Sequence, residues 1–139
     1  MISSVLVPMD DSEMAQEALR YALEAYPEAS VTVLHVVGEP SPMMGAATGL
    51  ALADDLGSKA EEIATPVIEA AHEVAAAYDR TVETTIEVGH PSRAILNRAT
   101  DYDTVVVGAH GGSLTDRFLT GNVAERVFRR SPVPVTIVR

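Results

Sequence analysis

The chain has 139 residues, no cysteine, 47% hydrophobic residues and a formal net charge of −10. That is enough chain for one domain with its own core, too apolar for general disorder, and without the thiols for a disulfide framework or thiol chemistry. No apolar run approaches the ~18 residues of a membrane span. The start "MISSVLVPMDD" meets acid at Asp10 without a basic n-region, so neither a signal peptide nor membrane insertion is expected, and the setting is expected to be cytoplasmic.

The charge is uneven. Residues 1–90 hold 16 acids against Arg20, Lys59 and Arg80, whereas residues 91–139 hold 4 acids against seven arginines, so the two parts carry −13 and +3. This balance opposes general nucleic-acid binding, which needs a continuous basic surface. One lysine beside nine arginines fits either a salt-rich cytoplasm or an arginine bias in base composition.

"VLVPM" opens as a short apolar run, followed by the helix pattern "SEMAQEALRYALEAY", with Met14, Ala18, Ala22 and Ala25 at helical spacing and Asp11 or Ser12 as cap. "SVTVLHVV" (30–37) is a β-branched strand. The glycine-rich loop 38–57, with Met43 and Met44, is long for a compact domain and reads as a lid or an interaction surface. An amphipathic segment then runs to about Tyr78, with Ile63, Val67, Ala71, Val74 and Tyr78 on one face; Pro66 implies a kink or a helix start near Thr65. "TVETTIEV" (81–88) is a strand, "GHPS" a turn, "RAILNRAT" a short helix and "DTVVVGAH" a strand apolar on both faces. "NVAERVFRR" is the last helix and "PVPVTIVR" the last strand. Alternating β and α makes this a single-domain (1–139) α/β fold, an open, parallel, doubly wound sheet with helices on both faces.

In such sheets ligands bind outside the carboxyl ends of the strands. The segments there are Pro8–Ser12, His35–Gly38, Gly89–Pro91 and Gly108–Asn122. The last, "GAHGGSLTDRFLTGN", carries four glycines. Gly108 and Gly111 permit close backbone approach, successive N–H groups form an anion-binding concavity, and Gly121-Asn122 is expected to open the last helix with its positive dipole end. Arg117 is a candidate mobile counter-charge for a polyphosphate. Equally, the glycines punctuate a loop and Asn122 is an ordinary N-cap. There is no GxxxxGK[ST] and no GxGxxG after the first strand.

The spacing present, G-x2-G-x9-G from Gly108 through Gly111 to Gly121, looks like the nucleotide-binding signature of the universal stress protein family. The resemblance covers nearly the whole chain. "VPMDDSEMAQEAL" is similar to the family's first strand, Asp turn and helix, "VTVLHVV" to its second strand and "GHPSRAIL" to its Gly-x-Pro turn. "VVVGAHG" resembles its fourth strand and "GNVAERVFRRSPVPVTIV" its closing helix and strand. The resemblance implies a five-stranded sheet in order 3-2-1-4-5, of the adenine nucleotide alpha hydrolase-like kind. It also implies a regulatory site for ATP, ADP or AMP with Mg²⁺ or Mn²⁺ on the phosphates. The implied binding set is Pro8, Asp10, Val36, Gly108, His110, Gly111, Arg117, Gly121, Asn122 and Val123. Asp10 would face the adenosine part and the Val36 backbone the adenine edge. Gly108 and Gly111 would line the ribose and first phosphates, and Gly121 with Asn122 the distal phosphates. Asn122 stands where the family usually has Ser or Thr. A homodimer through the last strand, Val133–Val138, is implied as well.

Other readings have less support. Asp10-Asp11 resembles the acidic pair of a response-regulator receiver domain, but "EVGHP" follows the third strand and Lys59 is the only lysine. His35, His90 and His110 end strands without paired-ligand spacing, as backbone-bonding histidines do. Asp116 and Glu125 are the only acids near the loop that would serve hydrolysis. A binding switch is thus preferred over a weak ATPase or a nucleotide-free interaction dimer.

Overall fold

A computed structural model describes residues 1–38, 56–109 and 116–139; in the helices beginning at 56 and 116, side chains are described from 58 and from 123 onward. Strands and helices alternate: β1 (Ser4–Pro8), α1 (Glu13–Ala25), β2 (Ser30–Val37), α2 (Leu56–Ala76), β3 (Glu83–Val88), α3 (Pro91–Ala99), β4 (Thr104–Gly108), α4 (Asp116–Arg130) and β5 (Val135–Val138). The strands form one parallel five-stranded sheet in the order β3-β2-β1-β4-β5, as the resemblance implies. The expected loop at 38–57 lies almost wholly outside the described residues.

Side-chain alternation along the strands sorts the core into two layers. Val5 and Val7 of β1 join Val31, Val33 and Val106 beneath α1 and α2. Leu6, between them, joins Leu34, Val105, Ile95 of α3 and Val127 of α4 on the other face. Full burial of Leu6, Leu19, Leu23 and Leu34 contributes on the order of 1.5–3 kcal/mol each. In-register pairing of Ser4 with Ser30 through Pro8 with Leu34 keeps both layers aligned.

Two helix faces differ from expectation. α1 buries Ala15, Ala18, Leu19, Ala22 and Leu23, while Met14 is half-buried and Ala25 exposed. The bulky i,i+4 pair Leu19–Leu23 decides which stripe turns inward. The cap is Ser12, whose Oγ accepts from the Ala15 N–H at 3.1 Å, and not Asp11, which is exposed. α2 starts at Leu56 rather than near Thr65 and runs through Pro66. Its buried face is Ala60, Ala64, Val67, Ala71 and Val74, and Ile63 is 57% exposed. Alanines here let α2 pack close to α1, and that proximity outweighs the larger apolar surface of Ile63.

The start of α4 needs a correction too. The helix begins at Asp116, so Gly121 and Asn122 lie within it and do not open it. An internal glycine costs a helix about 1 kcal/mol. Asn122 is therefore not an N-cap, and no free N–H groups of a helix start fall at Gly121-Asn122.

At the amino ends of the strands the chain is closely tied. Asp103 Oδ2 accepts from the Ser3 N–H at 2.8 Å, the Ser3 hydroxyl at 2.9 Å and the Ser4 N–H at 3.1 Å. These bonds, the Ser3 N–H foremost, hold the Asp103 carboxyl below the ordinary aspartate range. Arg80 donates to the carbonyls of Leu23 and Tyr26, at 2.9 and 3.1 Å, and of Ala29, closing the carboxyl end of α1 onto β2. Arg80 follows Asp79, whose φ of 54° makes the left-handed turn that ends α2.

Candidate functional site

The carboxyl ends of the strands diverge instead of closing. β1 stops at Pro8, and the Met9 N–H makes a last bond to the Leu34 carbonyl of β2 at 2.8 Å. Nδ1 of His35 donates to the Met9 carbonyl at 2.7 Å, which fixes that proton on Nδ1 and pins the chain as it leaves the sheet. The half-buried Asp10 follows, and its Oδ1 accepts the Ser12 N–H at 2.9 Å. That bond leads into the α1 cap, and Asp10 lines the cavity beyond β1.

β2 continues past this point to Val37. In a parallel ladder every second residue directs its N–H and C=O to the same neighbour. The Leu34 carbonyl bonds toward β1 and the Val37 carbonyl toward Gly89 beyond β3. The Val36 N–H and C=O therefore point to the β1 side, where β1 has already ended. An extended strand thus presents one donor and one acceptor at the edge of a cavity.

That cavity has a volume of about 220 Å³. Pro8, Met9 and Asp10 form one wall, Leu34 and Val36 another, and Pro91 and Ile95 of α3 face them. Val107 and Gly108 close the back, Val123 of α4 lies at the side, and Ser12 and Ala15 bring the amino end of α1 to the rim. The walls are mostly apolar, and the polar groups are few and placed at the edge. This is the usual make-up of a small-molecule site, although ordinary sites run to ~300–1,000 Å³. The volume accommodates a planar ring system.

Of the residues expected at the site, the structure brings together Pro8, Asp10, Val36, Gly108 and Val123. His110 and Gly111 lie outside the described residues, and Arg117, Gly121 and Asn122 are placed only by the backbone of α4. Gly108 has a reason of its own. A Cβ there would sit 2.8 Å from the Met14 carbonyl oxygen, so its hydrogen allows α1 to cross the end of β4. Leu34, Ile95 and Val107 were not foreseen in the site. The "GHPS" turn already pointed to Pro91, and Ile95 follows it one helical turn later.

His90 Nδ1 lies 3.1 Å from Ser92 Oγ, so His35 and His90 each have a local partner. Among the described residues no three His, Asp or Glu side chains come together as a metal-ligating group, and no helix is long and apolar enough to cross a membrane.

A parallel 3-2-1-4-5 sheet with a cavity beyond the end of its central strand defines a nucleotide-fold α/β protein of the adenine nucleotide alpha hydrolase-like kind. The universal stress protein family model matches residues 1–139, and the chain belongs to that family. Universal stress protein MJ0577 of Methanocaldococcus jannaschii is 30% identical, over 100% of this chain and 96% of that one. The solved structure of MJ0577 superposes with a TM-score of 0.79 at 29% identity, covering 99% of this chain and 96% of the other. A universal stress protein solved in complex with cAMP superposes with a TM-score of 0.71 at 27% identity, covering 99% and 97%.

Proposed function

We propose that this chain binds an adenine nucleotide in the cavity beyond β1 and acts as a regulatory switch in the cytoplasm rather than as an enzyme. The observation that carries the reading is the Val36 donor–acceptor pair, exposed by the early end of β1 and set in an apolar cleft beside Asp10. An adenine edge offers the complementary acceptor and donor, its ring faces suit Leu34, Ile95 and Val123, and the other carboxylate oxygen of Asp10 suits a ribose hydroxyl. The relative solved with cAMP supports the same ligand class. Assignment of the phosphates to His110, Gly111, Arg117, Gly121 and Asn122, with Mg²⁺ or Mn²⁺ upon them, rests on the family resemblance alone.

Calorimetry with ATP, ADP, AMP and GTP tests the reading. Adenine nucleotides should bind in preference to GTP, and Asp10→Ala should weaken them about tenfold, as loss of one hydrogen bond to a charged group does. Absence of heat from every adenine nucleotide at millimolar concentration, with and without Mg²⁺, would sink it.

One observation favours a competing reading, a nucleotide-free interaction dimer: Gly108 is required by the approach of Met14 whether or not a ligand binds. The same calorimetry separates the two. In either case a homodimer through Val133–Val138 is proposed, because β5 is a sheet edge whose four residues are only half-buried. Pro134, lacking an N–H, accepts at its carbonyl from the Val105 N–H at 3.0 Å and the Thr104 hydroxyl at 2.8 Å on the inner side. Sedimentation should show a dimer, and a monomer throughout the micromolar range would refute it.

A further inference from the structure

A second cavity of about 220 Å³ lies between α3 and α4, on the side of α3 away from Pro91 and Ile95. Arg93 and Asn97 stand one turn apart on α3, Arg126 and Arg130 one turn apart on α4, and the two pairs line the cavity with Leu96 and His90. Helical spacing of four residues puts each pair on one face, so the packing of the two helices brings three arginines round one hollow.

The arrangement concentrates positive charge. Arg126 and Arg130 repel each other along α4, and Arg93 adds a third cation from the facing helix. Acids are abundant in the chain, 20 against 10 basic side chains. Yet among the described residues the ion pairs are Glu17–Arg20, Glu87–Arg98 and Glu125–Arg129, and none involves these three arginines. Glu125 turns to Arg129, which leaves the Arg126–Arg130 face of α4 to the cavity.

We propose that this cavity binds a phosphate dianion, free or as the ester group of a small molecule, independently of the nucleotide cavity. Guanidinium forks match the oxygen geometry of phosphate, and three of them offer more donors than one carboxylate can use. The Asn97 amide and the His90 ring line the same cavity as further polar partners. The small concave volume suits a compact ligand better than an extended peptide. Because all three arginines are exposed, the site works in high dielectric, and its affinity should be millimolar to submillimolar and sensitive to salt.

The test is titration of the isotope-labelled full chain with inorganic phosphate and with glycerol phosphate, followed by amide chemical shifts at constant ionic strength set with chloride. Saturable shifts should appear at His90–Asn97 and along Val123–Arg130. They should weaken about tenfold or more in Arg126→Gln/Arg130→Gln, as loss of charge-assisted bonds requires, and persist in Asp10→Ala. Tighter binding of glycerol phosphate assigns an ester ligand, and equal binding assigns the free anion. The substituted residues are exposed, so retained amide dispersion identifies a folded variant; Arg93→Gln is the second variant should the double one fail to fold. Lack of saturation by either phosphate, shifts that survive both variants, or tighter binding of a glutamate-rich peptide would overturn the proposal.

Discussion

The two ends of the sheet are built on opposite plans. At the amino ends, one carboxylate gathers three donors from Ser3 and Ser4, and one guanidinium gathers three carbonyls from α1 and the turn after it. At the carboxyl ends, β1 stops early, β2 runs on, and Val36 and Asp10 face a mostly apolar cleft. One end satisfies its polar groups within the chain, and the other leaves the Val36 pair and Asp10 facing the cleft, where the proposed nucleotide would meet them. Substitutions at the first should therefore alter stability without altering ligand affinity, and those at the second should do the reverse.

Gly108 should give the largest effect and mark where that division fails. It lies at the open end but serves packing, so Gly108→Val, which drives branched bulk into the Met14 carbonyl, should cost about 3 kcal/mol in urea unfolding. A well-folded variant that had lost only its ligand would move Gly108 to the binding role. Next, Arg80→Ala should cost about 2 kcal/mol through its orphaned carbonyls, with nucleotide affinity unchanged. Arg80→Lys should recover only part of that, since an ammonium cannot span all three carbonyls.

Ser12 is a second exception at the open end: Ser12→Ala removes the α1 cap and should cost about 1 kcal/mol by the same unfolding measurement. Asp103→Ala should show its effect as a pH dependence. The folded carboxyl titrates below its unfolded value, so the folded state binds fewer protons between the two values. The Asp103 contribution is then complete above the ordinary aspartate range and disappears as pH falls through the lower, folded value. Unfolding curves of wild type and Asp103→Ala should differ at neutral pH and converge in acid; a gap independent of pH would show that the carboxylate charge is not what matters.

The sequence made the open end's location legible but not its geometry. The β-branched run "SVTVLHVV" coincides with β2 from Ser30 to Val37, because continuous burial in a parallel sheet leaves a clear local pattern. Pro8, Asp10 and Val36 followed from the rule that ligands meet strand ends, and from family resemblance. Helix starts were less legible. Pro66 suggested a kink or a helix start and Gly121-Asn122 a helix opening, yet α2 starts well before Pro66 and α4 before Gly121. Packing overrides local propensity at that scale. The approach of Met14 to Gly108 joins residues far apart in the chain, and no local pattern announces it.

The most direct test of the central claim is an AMP titration of the labelled chain, followed residue by residue through its backbone amides. Asp10, Val36 and Gly108 should shift together and saturate with one affinity, while Ser3, Ser4, Arg80 and Asp103 stay in place. Saturating shifts confined to the amino end of the sheet, or none at Val36 at millimolar AMP, would contradict the account.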